Sequence, residues 1–101
     1  MNRFEYIKWF WKHNDDDMPI LLFYEIDLEN ERYATRMIEV FSDKRANPVV
    51  EKVFDYITEE PIPTIDEINI EDEFFAVIIS KEEFENVYKS EKYVGDISFP
   101  K

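Results

Sequence analysis

Apolar and polar positions change period along the chain, and each change predicts an element. Residues 3–12 (RFEYIKWFWK) are aromatic and β-branched with no Gly or Pro, which predicts a strand. Phe4, Tyr6, Lys8 and Phe10 would share one face, and Glu5, Ile7, Trp9 and Trp11 the other. Both faces are largely apolar, so this strand is expected to be central and covered on both sides at its C-terminal end. The polar run from His13 to Met18, closed by Pro19, predicts a turn. Residues 20–27 (ILLFYEID) and 31–41 (ERYATRMIEVF) predict two more strands, joined by a turn at Leu28-Glu29-Asn30. Strict alternation in the third strand puts Ala34, Arg36, Ile38 and Val40 on one face and Tyr33, Thr35, Met37 and Phe41 on the other. Two short connections between three strands imply an antiparallel meander.

After a turn at residues 42–45 the period lengthens. Asn47 followed by Pro48 reads as a helix start, and Val49, Val50, Val53, Phe54 and Ile57 recur at helical spacing. The pattern predicts an amphipathic helix over 48–59, ended by Pro61-Ile62-Pro63. Thr64 with Glu67 fits a capping box that opens only a short turn, and residues 74–79 (FFAVII) are a run of strand formers. Ser80 with Glu83 is a second capping box, and Phe84, Val87 and Tyr88 follow at i, i+3, i+4, predicting a helix over 81–90. In the tail 91–101, which holds the only glycine, Gly95, Val94 and Ile97 could pack, and fraying is expected at the end. No repeat and no Gly/Ser-rich linker divides the chain. The expected fold is one α+β domain over 1–101: an antiparallel sheet of three to four strands with an N-terminal meander, and two helices packed on one face.

Composition narrows the chemistry. Aromatic residues make up 17% of the chain, enough to build a core in a short domain. There is no Cys, so no disulfide, thiol nucleophile or Cys-ligated metal. No apolar stretch approaches bilayer length, and the N-terminus lacks a signal-peptide core, so a soluble, cytoplasmic protein is expected. The formal charge is −12, which argues against nucleic acid or anionic membrane as partner. Residues 1–45 hold 10 acids and 7 bases, whereas residues 46–101 hold 14 acids and 5 bases. The charge is therefore concentrated in the C-terminal half.

Tyr6-Ile7-Lys8-Trp9 with Trp11 and His13, Pro19-Ile20-Leu21-Leu22, Glu25-Ile26-Asp27, Arg32-Tyr33, Arg36 and Ile38-Glu39-Val40-Phe41 form a connected set of motifs. Pro61-Ile62-Pro63, Glu67-Ile68-Asn69 and Ile79-Ser80-Lys81-Glu82-Glu83-Phe84 continue it. With them the chain resembles, over most of its length, a bacterial family of small domains of unknown function with a Y-I-K-W opening strand. The resemblance implies a setting near toxin–immunity loci, where small acidic proteins commonly act as immunity proteins. The chain departs from that pattern after Phe41, where Ser42-Asp43-Lys44-Arg45 stands in place of a Gly turn, and in the segment 48–59.

Four groups could carry chemistry. His13 is the only histidine, so His-based acid–base catalysis would have to use it; a turn role is the plainer reading. Asp15-Asp16-Asp17 lacks the alternation, Gly and distal Glu of a calcium loop, so no metal and no cofactor is expected. His13, Glu25, Arg36 and Glu39 could form a polar patch for a small ligand; the plainer reading of Glu25, Arg36 and Glu39 is a structural ion pair or an edge position. The stretch Glu59, Glu60, Asp66, Glu67, Glu71, Asp72 and Glu73 contains no Lys or Arg and interleaves Ile62, Ile65, Ile68 and Ile70. Acids around apolar anchors suit docking on a basic protein surface; the plainer reading is a charged loop over the core. The expectation is therefore a non-enzymatic, acidic protein-binding protein, an immunity-type inhibitor of a basic toxin such as a nuclease. A non-catalytic regulatory module and a small-ligand-binding domain are the alternatives. The residues do not fix an oligomeric state.

Overall fold

The computed structural model describes residues 3–49, 57–58 and 60–101. The meander forms: β1 (Phe4–Trp11), β2 (Leu21–Asp27) and β3 (Tyr33–Val40) pair antiparallel in succession. The sheet is larger than the expected three to four strands. β4 (Ala46–Val49) adds to β3 and β5 (Phe74–Ile79) adds to β1. The result is five antiparallel strands in the order β4-β3-β2-β1-β5.

The helices are small, and they do not share a face as expected. α1 (Ile65–Ile68) is a single turn, capped by Thr64 and Glu67; α2 (Lys81–Tyr88) starts at the Ser80 N-cap. Phe84 and Val87 of α2 pack with Tyr6, Phe10, Leu21, Phe23, Ile38 and Val40. Ile62 and Ile68, beside and in α1, pack with Ile7, Tyr24, Ile26, Ala34 and Ala76 on the opposite face. The cause lies in β1 and β2, which are apolar on both faces and need cover on both. Eight helical residues can cover only one.

The helix start expected at Pro48 is also corrected, while most of the helix expected over 48–59 falls outside the described residues. Pro48 and Val49 lie in β4, in register with Ile38 and Met37. Residues 50–56 and Glu59 lie outside the described residues. Ile57 donates its N–H to the Ala34 carbonyl at 2.9 Å, and the Thr58 hydroxyl accepts the Ala34 N–H at 3.1 Å. Asn47-Pro48 misleads because Pro suits a helix start and an edge strand alike. β4 is an edge strand, and the Pro48 nitrogen points to its outer side. The missing donor therefore costs no ladder hydrogen bond.

Strict alternation along β3 fails at one residue. The pairing runs Glu25↔Arg36 and then Ile26↔Ala34, so Thr35 is an extra residue in a β-bulge. Ala34 thereby packs on the Ile62–Ile68 face, opposite Ile38 and Val40. The start of the tail is held to β4 and the turn before it, and Val94 does not pack but is exposed. Ala46 N–H bonds the Glu91 carbonyl, Tyr93 N–H bonds the Lys44 carbonyl, and Tyr93 is buried. A Cβ at Gly95 would collide with the Tyr93 phenol ring, so any larger residue there would have to displace that buried ring. The tail thus covers the β4 edge, as sheets commonly require.

Candidate functional site

The bulge at Thr35 builds a buried polar cluster between the sheet and α2. A bulge turns two successive side chains toward one side, and here Thr35 and Arg36 both reach Glu25, which is 7% exposed. The Thr35 hydroxyl donates to Glu25 Oε1 at 2.7 Å. Arg36 grips both oxygens, Nε to Oε1 at 2.9 Å and Nη2 to Oε2 at 2.6 Å. Tyr6, paired with Glu25 across β1 and β2, donates its hydroxyl to Oε2 at 2.8 Å. Arg36 also bonds Glu85 of α2, and its guanidinium lies 5.0 Å from the Phe84 ring centre and 4.9 Å from that of Tyr88.

The electrostatics follow from this packing. Burial pushes the Glu25 carboxyl up, but the hydrogen bonds from Arg36, Thr35 and Tyr6 outweigh it and hold it below the usual range. Arg36 likewise holds the Glu85 carboxyl down. Burial, then Glu25, pushes the Tyr6 phenol up to about 12. Every charged group here is paired, so the arrangement anchors α2 to the sheet.

The sequence-predicted patch does not assemble. Glu25 and Arg36 meet, but Glu39 lies on the opposite face, where burial and then the Glu39 charge push the Tyr24 phenol up. His13 sits in the β1–β2 turn, edge-on to Trp11 at 4.4 Å. Its Nδ1 accepts the Asp15 N–H at 3.0 Å, which leaves Nε2–H to donate to the Pro19 carbonyl at 2.8 Å. Asp15 accepts the Asp17 N–H in the same turn. Among the described residues no three His, Asp or Glu side chains are arranged to hold a metal ion.

The acidic stretch is placed on the surface. Glu60, Asp66, Glu67, Glu71, Asp72 and Glu73 are all exposed; Glu59 lies outside the described residues. Glu67 is occupied by its cap, accepting the Thr64 N–H at 3.1 Å and hydroxyl at 2.9 Å, which lowers its carboxyl. Of the four interleaved isoleucines, Ile62 and Ile68 are buried, Ile65 packs beside them, and only Ile70 projects, at 76% exposure. Lys101 donates to the Asn69 and Glu71 carbonyls at 2.8 and 2.9 Å and fixes this connection in place.

Sequence reasoning missed three other clamps. Asp27, 1% exposed, accepts from Arg3, from the Glu29 N–H and from the Asn30 amide. The Arg3 hydrogen bond leads in lowering its carboxyl. This holds a turn in which Glu31 and Arg32 both take left-handed φ, 59° and 67°. Arg32 reaches Glu5 and the Ile62 and Pro63 carbonyls, tying the 60s segment to the sheet. The Asn69 amide mimics a strand against β5, giving and taking hydrogen bonds with Ala76 at 3.0 and 2.6 Å. An Asx residue after a capped turn was the one signal available for the last.

The fold defines a small antiparallel sheet covered on both faces, with an acidic, solvent-facing connection leading into an edge strand. Among the described residues no helix is long and apolar enough to cross a membrane. The chain belongs to the family described as Domain of unknown function (DUF6881), which it matches over residues 5–93. No curated protein and no solved structure is significantly similar to it.

Proposed function

We propose that the chain is a small acidic protein-binding protein, and more finely an immunity-type inhibitor that neutralises a basic bacterial toxin. The observation that carries this reading is the run from Glu60 to Glu73. Its six described carboxylates all face solvent, no Lys or Arg interrupts them, and Ile70 projects among them. A nuclease must present cations to hold phosphate, so an acidic surface competes for the same site. Long-range attraction would speed the encounter, and Ile70 would supply apolar contact within a charged rim. The resemblance to small domains near toxin loci gives the partner class.

Co-expression with a toxin domain encoded in the same gene neighbourhood tests the reading. Growth is restored by the parent chain and lost with Glu71→Lys/Asp72→Lys/Glu73→Lys, whose circular dichroism stays that of the parent. Failure to restore growth with any neighbouring toxin overturns the reading. So does a rescue that survives the charge reversal.

A further inference from the structure

β5 is an edge strand, and its outer side is open at one end. Main-chain groups of β1 alternate in direction: Lys12 N–H reaches Glu73 on the β5 side, whereas Trp11 N–H reaches Ile20 on the β2 side. In β5 the residues opposite Lys8 and Tyr6, Val77 and Ile79, therefore bond β1, and Ala76 and Ile78 point outward. Asn69 occupies Ala76. Nothing among the described residues bonds the outward N–H and C=O of Ile78. Ser80 continues the strand with φ −79° and ψ 159°, so its N–H also points out, while its carbonyl is taken by Phe84. Three main-chain groups over Ile78–Ser80 thus lack partners among the described residues, on a surface where strands are usually blunted.

The side chains around this opening select an occupant. Ile78 is 57% exposed, and beside it lies a groove of about 580 Å³ that also takes in Phe4 and Leu28, the latter 40% exposed. Exposed acids bracket the strand: Glu71, Asp72 and Glu73 precede it, and Glu82 and Glu83 follow it. Two cations also line the groove, Lys81 and Arg3, the latter paired with Asp27 and Glu29. We infer that the Ile78–Ser80 edge is a strand-addition site for an extended segment of a basic protein partner. Main-chain hydrogen bonds would hold the segment, an apolar side chain would enter the groove, and flanking cations would meet the two acidic runs. The inference rests on the protein-binding reading above and deepens it, by naming how the partner is held.

The test uses an acetylated, amidated hexapeptide alternating Lys and Val, and the same peptide N-methylated along one edge so that charge is kept and pairing is lost. Amide exchange and chemical shifts of the full chain are followed by NMR in 50 mM salt. The parent peptide is expected to slow exchange at Ile78 and Ser80 about tenfold at saturation. The methylated peptide should bind about fivefold more weakly or worse, the loss of one or two hydrogen bonds. Ile78→Pro, which removes an outward N–H and the Ile78 side chain at the groove but no hydrogen bond to β1, should weaken the parent peptide at least as much while keeping the native spectrum elsewhere. Absence of binding overturns the inference, as does unchanged exchange at Ile78 and Ser80 or equal affinity for the two peptides. Peptide docking without growth rescue would remove the toxin reading alone. Rescue without docking would remove strand addition alone.

Discussion

Arg36→Met isolates the energetic role of the cluster under α2. The substitution keeps the aliphatic stem that packs on Phe84 and Tyr88 but removes the cation that pairs with both Glu25 and Glu85. Breaking a buried pair costs about 3–5 kcal/mol, because the remaining charge stays in a poor solvent. The lower end applies here. Tyr6 and Thr35 still donate to Glu25, and Arg36 and Glu85 are each about a quarter exposed. A loss of about 3 kcal/mol is a large share of the roughly 5–15 kcal/mol of a domain this size. Urea unfolding at pH 7, read from the fluorescence of Trp9 and Trp11, measures it. The sign with pH is defined. In the parent, the depressed Glu25 carboxyl contributes stability present above the ordinary carboxylate pKa and lost as pH falls through the folded value. In the variant, burial acts against fewer hydrogen bonds, and protonation relieves the unpaired charge. The gap between parent and variant should therefore narrow from pH 7 to pH 4. A difference below about 1 kcal/mol at pH 7, or a gap independent of pH, refutes the claim that Glu25 is buried and paired through Arg36.

Three further outcomes follow from named contacts. Asp27→Asn should cost about 2–3 kcal/mol in chemical denaturation, because a carboxylate accepting from Arg3, Glu29 and Asn30 holds a turn with two left-handed residues. Ser80→Ala removes the acceptor of the Glu83 N–H and should lower stability by about 1 kcal/mol without changing the urea m-value. Acid titration of the parent should show stability falling below about pH 4, since Glu25, Asp27 and Glu85 all have depressed carboxyls.

Strand-forming composition made β1, β2, β3 and the FFAVII strand legible, alternation gave the faces of β3 from Arg36 onward, and capping chemistry located the starts of α1 and α2. What patterning could not place was set by contacts distant in sequence. Asn47-Pro48 carries the same local signal for a helix start and an edge strand, and only pairing with Glu39 and Ile38 decides between them. The bulge at Thr35 leaves no mark in the hydrophobic pattern, yet it decides which face Ala34 joins and brings Thr35 to Glu25. Glu25 and Arg36 were readable as charges among apolar residues. Glu85, which closes the cluster, reads in sequence as one more acid on a helix. Glu39 failed to join because strand alternation puts it on the face opposite Arg36, and His13 because it sits in the turn beyond the far end of β1 from Tyr6 and Glu25. The acidic run was legible as charge, but its isoleucines were not. Three of four turn inward, and only Ile70 remains to meet a partner.

The central claim is that the acidic connection before β5 binds a basic protein. Calorimetric titration of the purified chain against a catalytically inactive toxin domain from its gene neighbourhood, at 50 and 500 mM salt, tests it most directly. The account predicts tight binding at low salt that weakens at least about tenfold at high salt. It also predicts a comparable loss in Glu71→Lys/Asp72→Lys/Glu73→Lys at low salt. Binding indifferent to both salt and charge reversal, or no binding in either condition, would contradict it.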